Sequence, residues 1–131
     1  MYVAEGDPYQ AQAEETTRLV VARLRLAAGD YSHCYQSRFG SVVWLQPYAE
    51  DTLKALVKSG QRRITVVSPS FAVDCLETLQ EVAIEYRDKF REFGGEQLTL
   101  VPALNDDERH AQVLMAIVMK QMQGWIEGGG Q

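Results

Sequence analysis

Apolar and polar positions along this chain follow two periodicities, which predict four helices separated by three short strands. Helices are predicted where apolar residues recur every three or four positions. Strands are predicted where short apolar or alternating runs stop at glycine or proline. The predicted helices cover residues 8–29, 49–60, 74–93 and 105–125, and the predicted strands cover residues 31–38, 62–70 and 97–104.

The order of these elements predicts an α/β fold of three layers, with a parallel sheet of three strands and helices on both faces. The run Ile64, Val66 and Val67 lacks clean alternation, as in a strand buried on both faces. In such sheets ligands bind beyond the carboxyl ends of the strands. The residues predicted to share that rim are Trp44, Phe71, Asp74, Cys75, Glu77 and Asn105.

Carboxylates repeat along the third predicted helix. Glu77, Glu81 and Glu85 are spaced four apart, and like charges at that spacing cost roughly 0.2–0.5 kcal/mol per pair. Helical periodicity puts them opposite the predicted core residues, which are Leu76, Leu79, Ala83, Tyr86, Phe90 and Phe93. Two interpretations remain open, a solvated helix face and a seat or route for a divalent cation, which prefers oxygen ligands. Asp74 and Glu77 also have the spacing of a capping box.

Length and charge favour a single domain over residues 1–131 that does not bind nucleic acid. The net charge of −5 is the wrong sign for binding driven by phosphates. Two cysteines cannot form a four-cysteine zinc site or hold an iron–sulfur cluster. No apolar run approaches the ~20 residues of a membrane-spanning helix. The polar N-terminus does not resemble a targeting peptide, so we expect a cytoplasmic protein with at most peripheral membrane contact.

The sequence pattern alone leaves the roles of several other candidate residues open. Cys75 lies nearer the predicted core side, which favours an inert buried thiol over a metal ligand. Trp44 stands in a loop with Phe39 and Tyr48, where it either lines a ligand pocket or anchors the loop. No glycine-rich nucleotide-binding motif and no nucleophile elbow is present.

Several stretches together resemble the ferrochelatase family. They are "EGDPY", "YQSRFGSVVWLQPY", "DTLKAL", "VVSPSFAVDCLETLQEVAIEYRDKF", "GG" and "VPALN", in the family's order and spacing. The bacterial form is the nearer one, with Cys75 where animal enzymes have histidine. The resemblance covers nearly the whole chain but only the C-terminal half of a ferrochelatase.

The resemblance implies insertion of ferrous iron (Fe²⁺) into protoporphyrin IX, the last step of haem biosynthesis. Iron is then a substrate, and no cofactor is bound permanently. By resemblance, Glu77 matches the family's active-site glutamate, which either accepts the pyrrole protons or binds iron directly. Glu81 and Glu85 match an acidic ladder proposed to carry metal or protons. The matching residues around the porphyrin are Trp44, Gln36, Ser37, Asp74 and Cys75.

The same resemblance implies that this chain departs from the family's pattern in two respects. The family's catalytic histidine, in an "SFHG"-like segment, and an N-terminal domain would lie upstream of Met1. We therefore expect this chain alone to be a poor chelatase, completed by an N-terminal half or by self-association through an exposed sheet edge. The alternative is a non-catalytic module that binds a tetrapyrrole or a protein partner.

Overall fold

A computed structural model describes residues 6–36 and 43–126. The helices are α1 (Tyr9–Leu24), α2 (Ala49–Lys58), α3 (Arg87–Glu92) and α4 (Glu108–Ile126), and a π-helix (Glu77–Tyr86) runs directly into α3. The strands are β1 (Arg63–Val66) and β2 (Gln97–Leu100). The fold is therefore α/β, as predicted.

The sheet is parallel and holds two strands within the described ranges, so the prediction of three strands was wrong there. Arg63 stands opposite Gln97 and Val66 opposite Leu100. The predicted strand 31–38 contributes an isolated parallel bridge between Tyr35 and Tyr48. Its residues Ser37 and Arg38 lie outside the described part of the chain.

Backbone hydrogen bonds explain why residues 31–36 do not extend the sheet. The Tyr35 amide donates to the Pro47 carbonyl at 2.8 Å, and the Ala49 amide donates to the Tyr35 carbonyl at 2.9 Å. The N–H and C=O groups of Tyr35 are therefore both bonded to the segment that leads into α2. The predicted three layers are not present among the described residues either.

Helix α1 begins where the sequence indicates and ends earlier. Pro8 holds the capping position without a side-chain hydrogen bond. The Tyr9 amide donates to Asp7 Oδ1 at 2.8 Å, so Asp7 contacts the first residue of the helix from just outside it. The helix stops at Leu24 rather than at Gly29, because Arg25 adopts a left-handed conformation with φ 57°. The Arg25 amide closes the last turn on the Ala22 carbonyl.

The hydrophobic core lies between the sheet, α2 and the continuous π-helix and α3. The buried apolar residues are Ala49, Leu53, Val57, Val82, Tyr86, Phe90 and Leu98. Lys89 Nζ of α3 contacts Glu50 Oε2 of α2 at 2.7 Å. Helix α2 and α3 therefore cover the same face of the sheet.

The two longest helices bury very little. Helix α1 has no buried residue, and its apolar side chains Leu19 and Leu24 are exposed. Helix α4 exposes Val113, Leu114, Met115, Ile117, Val118, Met119, Met122 and Trp125. None of the helices in the described ranges has the length and apolar character needed to cross a bilayer.

Candidate functional site

The π-helix determines which side chains of residues 77–86 are buried. Its buried residues are Thr78, Val82 and Tyr86, and Phe90 of α3 continues the series at the same spacing of four. The predicted core was wrong at Leu76 and Leu79, which are 79% and 53% exposed. The prediction assumed α-helical turns, whereas a π-helix closes i→i+5 hydrogen bonds and has a wider turn. A wider turn aligns residues four apart more closely.

The three glutamates of the π-helix each precede a buried residue by one position. Glu77, Glu81 and Glu85 therefore form a row beside the buried residues, and not opposite them as predicted. Glu77 and Glu85 are exposed, and Glu81 is half-buried. We refer to these three side chains as the glutamate row.

Glu81 is held at both carboxylate oxygens. The buried Tyr86 hydroxyl donates to Oε1 at 2.7 Å, and Gln36 Nε2 donates to Oε2 at 3.0 Å. The same Gln36 nitrogen lies 2.8 Å from the Glu77 carbonyl oxygen. Gln36, at the end of the extended segment, is thereby fixed to the first turn of the π-helix.

Glu77 is exposed but electrostatically favoured as a carboxylate. A hydrogen bond from the Cys75 thiol, followed by one from its own backbone N–H, lowers the pKa of Glu77 below its ordinary value, against burial and the negative charge of Glu81. Cys75 is half-buried, which is less than predicted, and its chemical inertness stays a prediction. Cys34 and Cys75 are both free thiols.

Asp74 joins the two loops that follow β1 and β2. Its carboxylate accepts hydrogen bonds from Asn105 Nδ2 (2.8 Å), the Ala103 amide (3.2 Å) and Thr78 Oγ1 (3.0 Å). The Asp74 amide in turn donates to Asn105 Oδ1 at 2.8 Å. The Asn105 contact is the main reason that the pKa of Asp74 is lowered. The predicted capping box did not form, since Leu76 holds the capping position without a side-chain hydrogen bond.

Helix α4 holds Asn105 in place through His110. His110 is buried, and its Nδ1 lies 2.7 Å from the Asn105 carbonyl oxygen. A carbonyl only accepts, so Nδ1 carries the proton. Asn105 has a left-handed backbone with φ 49°, which asparagine adopts more readily than most residues. Asp74, Cys75, Glu77 and Asn105 therefore share the predicted rim.

The porphyrin-side candidates are described only in part. Trp44 is 46% exposed, and its carbonyl oxygen lies 3.5 Å from the Tyr48 hydroxyl. Ser37 and the nearby Phe39 lie outside the described residues. Gln36 belongs to the site through Glu77 and Glu81, as stated above.

The sequence did not identify Tyr86 as a partner of Glu81, because its pattern assigned Tyr86 only to the core. A spacing of five would have indicated the pair only if the π-helix had been known. Across the described residues, no group of three or more histidine, cysteine or acidic side chains is placed to hold a metal ion. The arrangement is a row of three carboxylates, with Glu81 held by two hydrogen bonds and Glu77 and Glu85 exposed to solvent.

Comparison with known proteins identifies one family. A family model described as Ferrochelatase matches residues 1–122. The chain is 46% identical over 133 aligned positions to the ferrochelatase of Nitrosococcus oceani, covering 99% of this chain and 36% of that protein. It is 47% identical to the ferrochelatase of Bradyrhizobium diazoefficiens, covering 95% and 36% respectively. The chain thus spans little more than a third of the length of these relatives.

Proposed function

Because this chain belongs to the ferrochelatase family, we propose that residues 1–131 act as one domain of a ferrochelatase. Together with the remaining polypeptide it inserts ferrous iron into protoporphyrin IX to form protohaem. The reaction belongs to haem biosynthesis and is expected in the cytoplasm. Iron and porphyrin are substrates, and the proposal requires no permanently bound cofactor.

The observation that carries this proposal is the glutamate row. Carboxylate oxygens suit a hard divalent ion that must be released again, unlike thiolates, which bind more tightly. Glu77 presents a carboxylate whose lowered pKa keeps it negative at neutral pH, so it attracts a cation. Glu81 keeps a fixed orientation through Tyr86 and Gln36, so a cation leaving Glu77 meets a preorganised neighbour.

The reaction also needs an outlet for protons. Metal insertion displaces the pyrrole N–H protons of the porphyrin, which carboxylates can accept and pass to water. A lowered pKa makes Glu77 a weak base, which favours a role for Glu77 as the first cation ligand. Glu81 and Glu85 then lead protons or metal between the porphyrin and solvent, where Glu85 is exposed.

Porphyrin binding requires an aromatic side chain to pack against the ring and a second protein domain. Trp44, half-exposed in the segment that leads into α2, fits a planar apolar ligand. Ser37 directly follows Gln36 in the chain. The chain has two histidines, and each Nδ1 is engaged elsewhere, His33 with Thr17 Oγ1 and His110 with the Asn105 carbonyl. The histidine that the family resemblance implies as the partner of Glu77 is therefore sought in the remaining polypeptide.

An insertion assay tests the proposal. The chain is assayed with protoporphyrin IX and Fe²⁺ or Zn²⁺ under anaerobic conditions, alone and co-expressed with the part of the Nitrosococcus oceani ferrochelatase that does not align with it. We expect insertion only in the second case, abolished by Glu77→Gln and retained by the control Glu96→Gln, an exposed carboxylate outside the row. Full activity of the Glu77→Gln variant would contradict the role of Glu77. Full activity of the chain alone would contradict the need for a second body.

A porphyrin titration distinguishes the alternative of a non-catalytic module. The chain contains two tryptophans, so Trp125→Phe is used as the background to isolate the fluorescence of Trp44. Quenching on addition of porphyrin, without metal insertion in the reconstituted pair, supports the module. Quenching together with restored insertion supports the chelatase.

A further inference from the structure

The spacing that defines the glutamate row continues one step beyond it and ends at a lysine. Each glutamate of the row directly precedes a buried residue of the π-helix. Lys89 stands four positions after Glu85 and directly precedes Phe90, which is the buried residue of α3. Three carboxylates are therefore followed by one ammonium group, and the sign of the charge changes at the α3 end of the row.

Helix α2 holds Lys89 in this position. Lys89 Nζ contacts Glu50 Oε2 at 2.7 Å, and Lys54 Nζ contacts Glu50 Oε1 at 3.3 Å. Lys54 also lies over the ring of Phe93, 5.0 Å from its centroid, and Phe93 stands four positions after Lys89. Two lysines thus share one carboxylate, so positive charge is in excess at the α3 end of the row.

The charge of Lys89 acts on the row itself. The pKa of Lys89 is raised chiefly by its hydrogen bond to Glu50, and the negative charges of Glu50, Glu85 and Glu81 raise it further against partial burial. Because the interaction is mutual, Lys89 attracts these carboxylates and repels any cation beside them. At a separation of one helical turn in water, repulsion between an ammonium group and a divalent ion weakens binding about tenfold.

A proton and a divalent metal ion respond differently to this lysine. A carboxylate that accepts a proton becomes neutral, so Lys89 does not repel it. A divalent ion on Glu85 keeps a positive charge next to the ammonium group. Glu77 stands twelve positions before Lys89, and the charge that acts on it is the negative one of Glu81. The two ends of the row therefore differ in their affinity for a divalent cation.

We propose that Lys89, held by Glu50, is a specificity-determining residue that closes the α3 end of the glutamate row to divalent cations. Fe²⁺ then binds first at Glu77, and Glu85 passes only protons to solvent. This inference rests on the proposed function, because it states which end of the same row takes up metal and which end releases protons.

A titration with Mg²⁺, which takes oxygen ligands, tests where a divalent cation binds. The carboxyl ¹³C chemical shift of each glutamate, followed by NMR on the chain alone, reports coordination at that side chain. We expect the Glu77 signal to move at about tenfold lower Mg²⁺ than the Glu85 signal. Movement of both signals at the same concentration, or of Glu85 first, would overturn the proposal without any variant.

Variants of the lysine give the matched comparison. In Lys89→Gln we expect the Glu85 signal to move at about tenfold lower Mg²⁺ than in the unmodified chain. Lys89→Arg keeps the charge, and Lys120→Gln removes the charge of an exposed lysine in α4, so both should leave the order of binding unchanged. An unchanged Glu85 titration in Lys89→Gln, or the same change in Lys120→Gln, would overturn the proposal.

The insertion reaction gives a second readout, in which kcat and KM separate the two ends of the row. The pair co-expressed with the non-aligning part of the Nitrosococcus oceani ferrochelatase is assayed for Zn²⁺ insertion with added Mg²⁺. In the unmodified pair Mg²⁺ competes at Glu77, so we expect the KM for Zn²⁺ to rise and kcat to stay constant. In Lys89→Gln, Mg²⁺ also occupies Glu85 and blocks proton release, so kcat should fall. A constant kcat in Lys89→Gln would contradict the closure of the row.

These outcomes separate the role of Lys89 from the proposed activity. Mg²⁺ binding that depends on Lys89, without metal insertion in the reconstituted pair, would leave the closure of the row intact and refute the chelatase function. Restored metal insertion, with the same response to Mg²⁺ in Lys89→Gln and the unmodified protein, would do the reverse.

Discussion

The Tyr86 hydroxyl donates a 2.7 Å hydrogen bond to Glu81 Oε1, five positions earlier in the chain. In an α-helix of 3.6 residues per turn, side chains five apart point in different directions. The π-helix over Glu77–Tyr86 turns more widely and brings them to the same side. The pair thus couples the buried face of this helix to the glutamate row.

Removing this hydroxyl should destabilise the protein without removing ring packing. We expect Tyr86→Phe to lower the free energy of unfolding by about 1.5–3 kcal/mol, the range for a hydrogen bond to a charged group. Urea unfolding followed by circular dichroism measures it. Tyr31→Phe, at an exposed tyrosine, is the control and should change stability by less than about 0.5 kcal/mol. Equal effects of the two substitutions would show that the Tyr86 hydroxyl contributes nothing.

Replacing Gln36 by glutamate should create repulsion at the site. Gln36→Glu sets a second carboxylate against Glu81 and the Glu77 carbonyl, and the lost donor alone costs about 1–3 kcal/mol. Close negative charges raise a carboxyl pKa on folding, so this repulsion is present at pH 7 and disappears as pH falls below about 4. Thermal unfolding between pH 7 and pH 4 measures the change. Gln36→Met loses the donor to Glu81 without adding charge, so its deficit should shrink less than that of Gln36→Glu as pH falls. An equal pH dependence of the two deficits would exclude repulsion.

Asp74 should contribute to acid sensitivity. Its pKa is lowered from 3.8, chiefly by Asn105, so its folded value lies below its unfolded value. The stability it contributes is therefore present above pH 3.8 and is lost as pH falls through the lower folded pKa. We expect the melting temperature of Asp74→Asn to lie furthest below that of the unmodified protein at pH 7 and to approach it at pH 3. A gap of constant size, or one equal to that of Glu96→Gln, would show that the charge of Asp74 is not involved.

Glycine at position 95 is required by close packing. A Cβ at Gly95 would run into the ring of Phe90, which is fully buried. We expect Gly95→Ala to cost about 1–3 kcal/mol, as overpacking does. Gly124 lies in α4 with open space around it, so Gly124→Ala should be neutral or stabilise by up to about 1 kcal/mol through helix propensity. Opposite signs in chemical denaturation are the expected result, and a neutral Gly95→Ala would show that Phe90 can move aside.

Local rules predicted what depends on neighbouring residues. Spacing and turn chemistry predicted the helices, the parallel order of β1 and β2, and the shared rim of Asp74 and Asn105. The errors arose where backbone geometry departs from its regular form. Leu76 and Leu79 were assigned to the core because an α-helical period was assumed. Residues 31–36 were assigned to the sheet because strand propensity does not specify a partner.

The sequence by itself determined that three glutamates stand four apart on one helix, because that spacing is a covalent fact and side-chain direction follows from it. Only the tertiary structure decided what surrounds each of them. Burial of Tyr86 against α2 and the sheet, the π-turn and the approach of Gln36 from a distant segment together anchor Glu81 and leave Glu77 and Glu85 open. These contacts join residues 41 and 45 positions apart, a separation over which no local periodicity carries information.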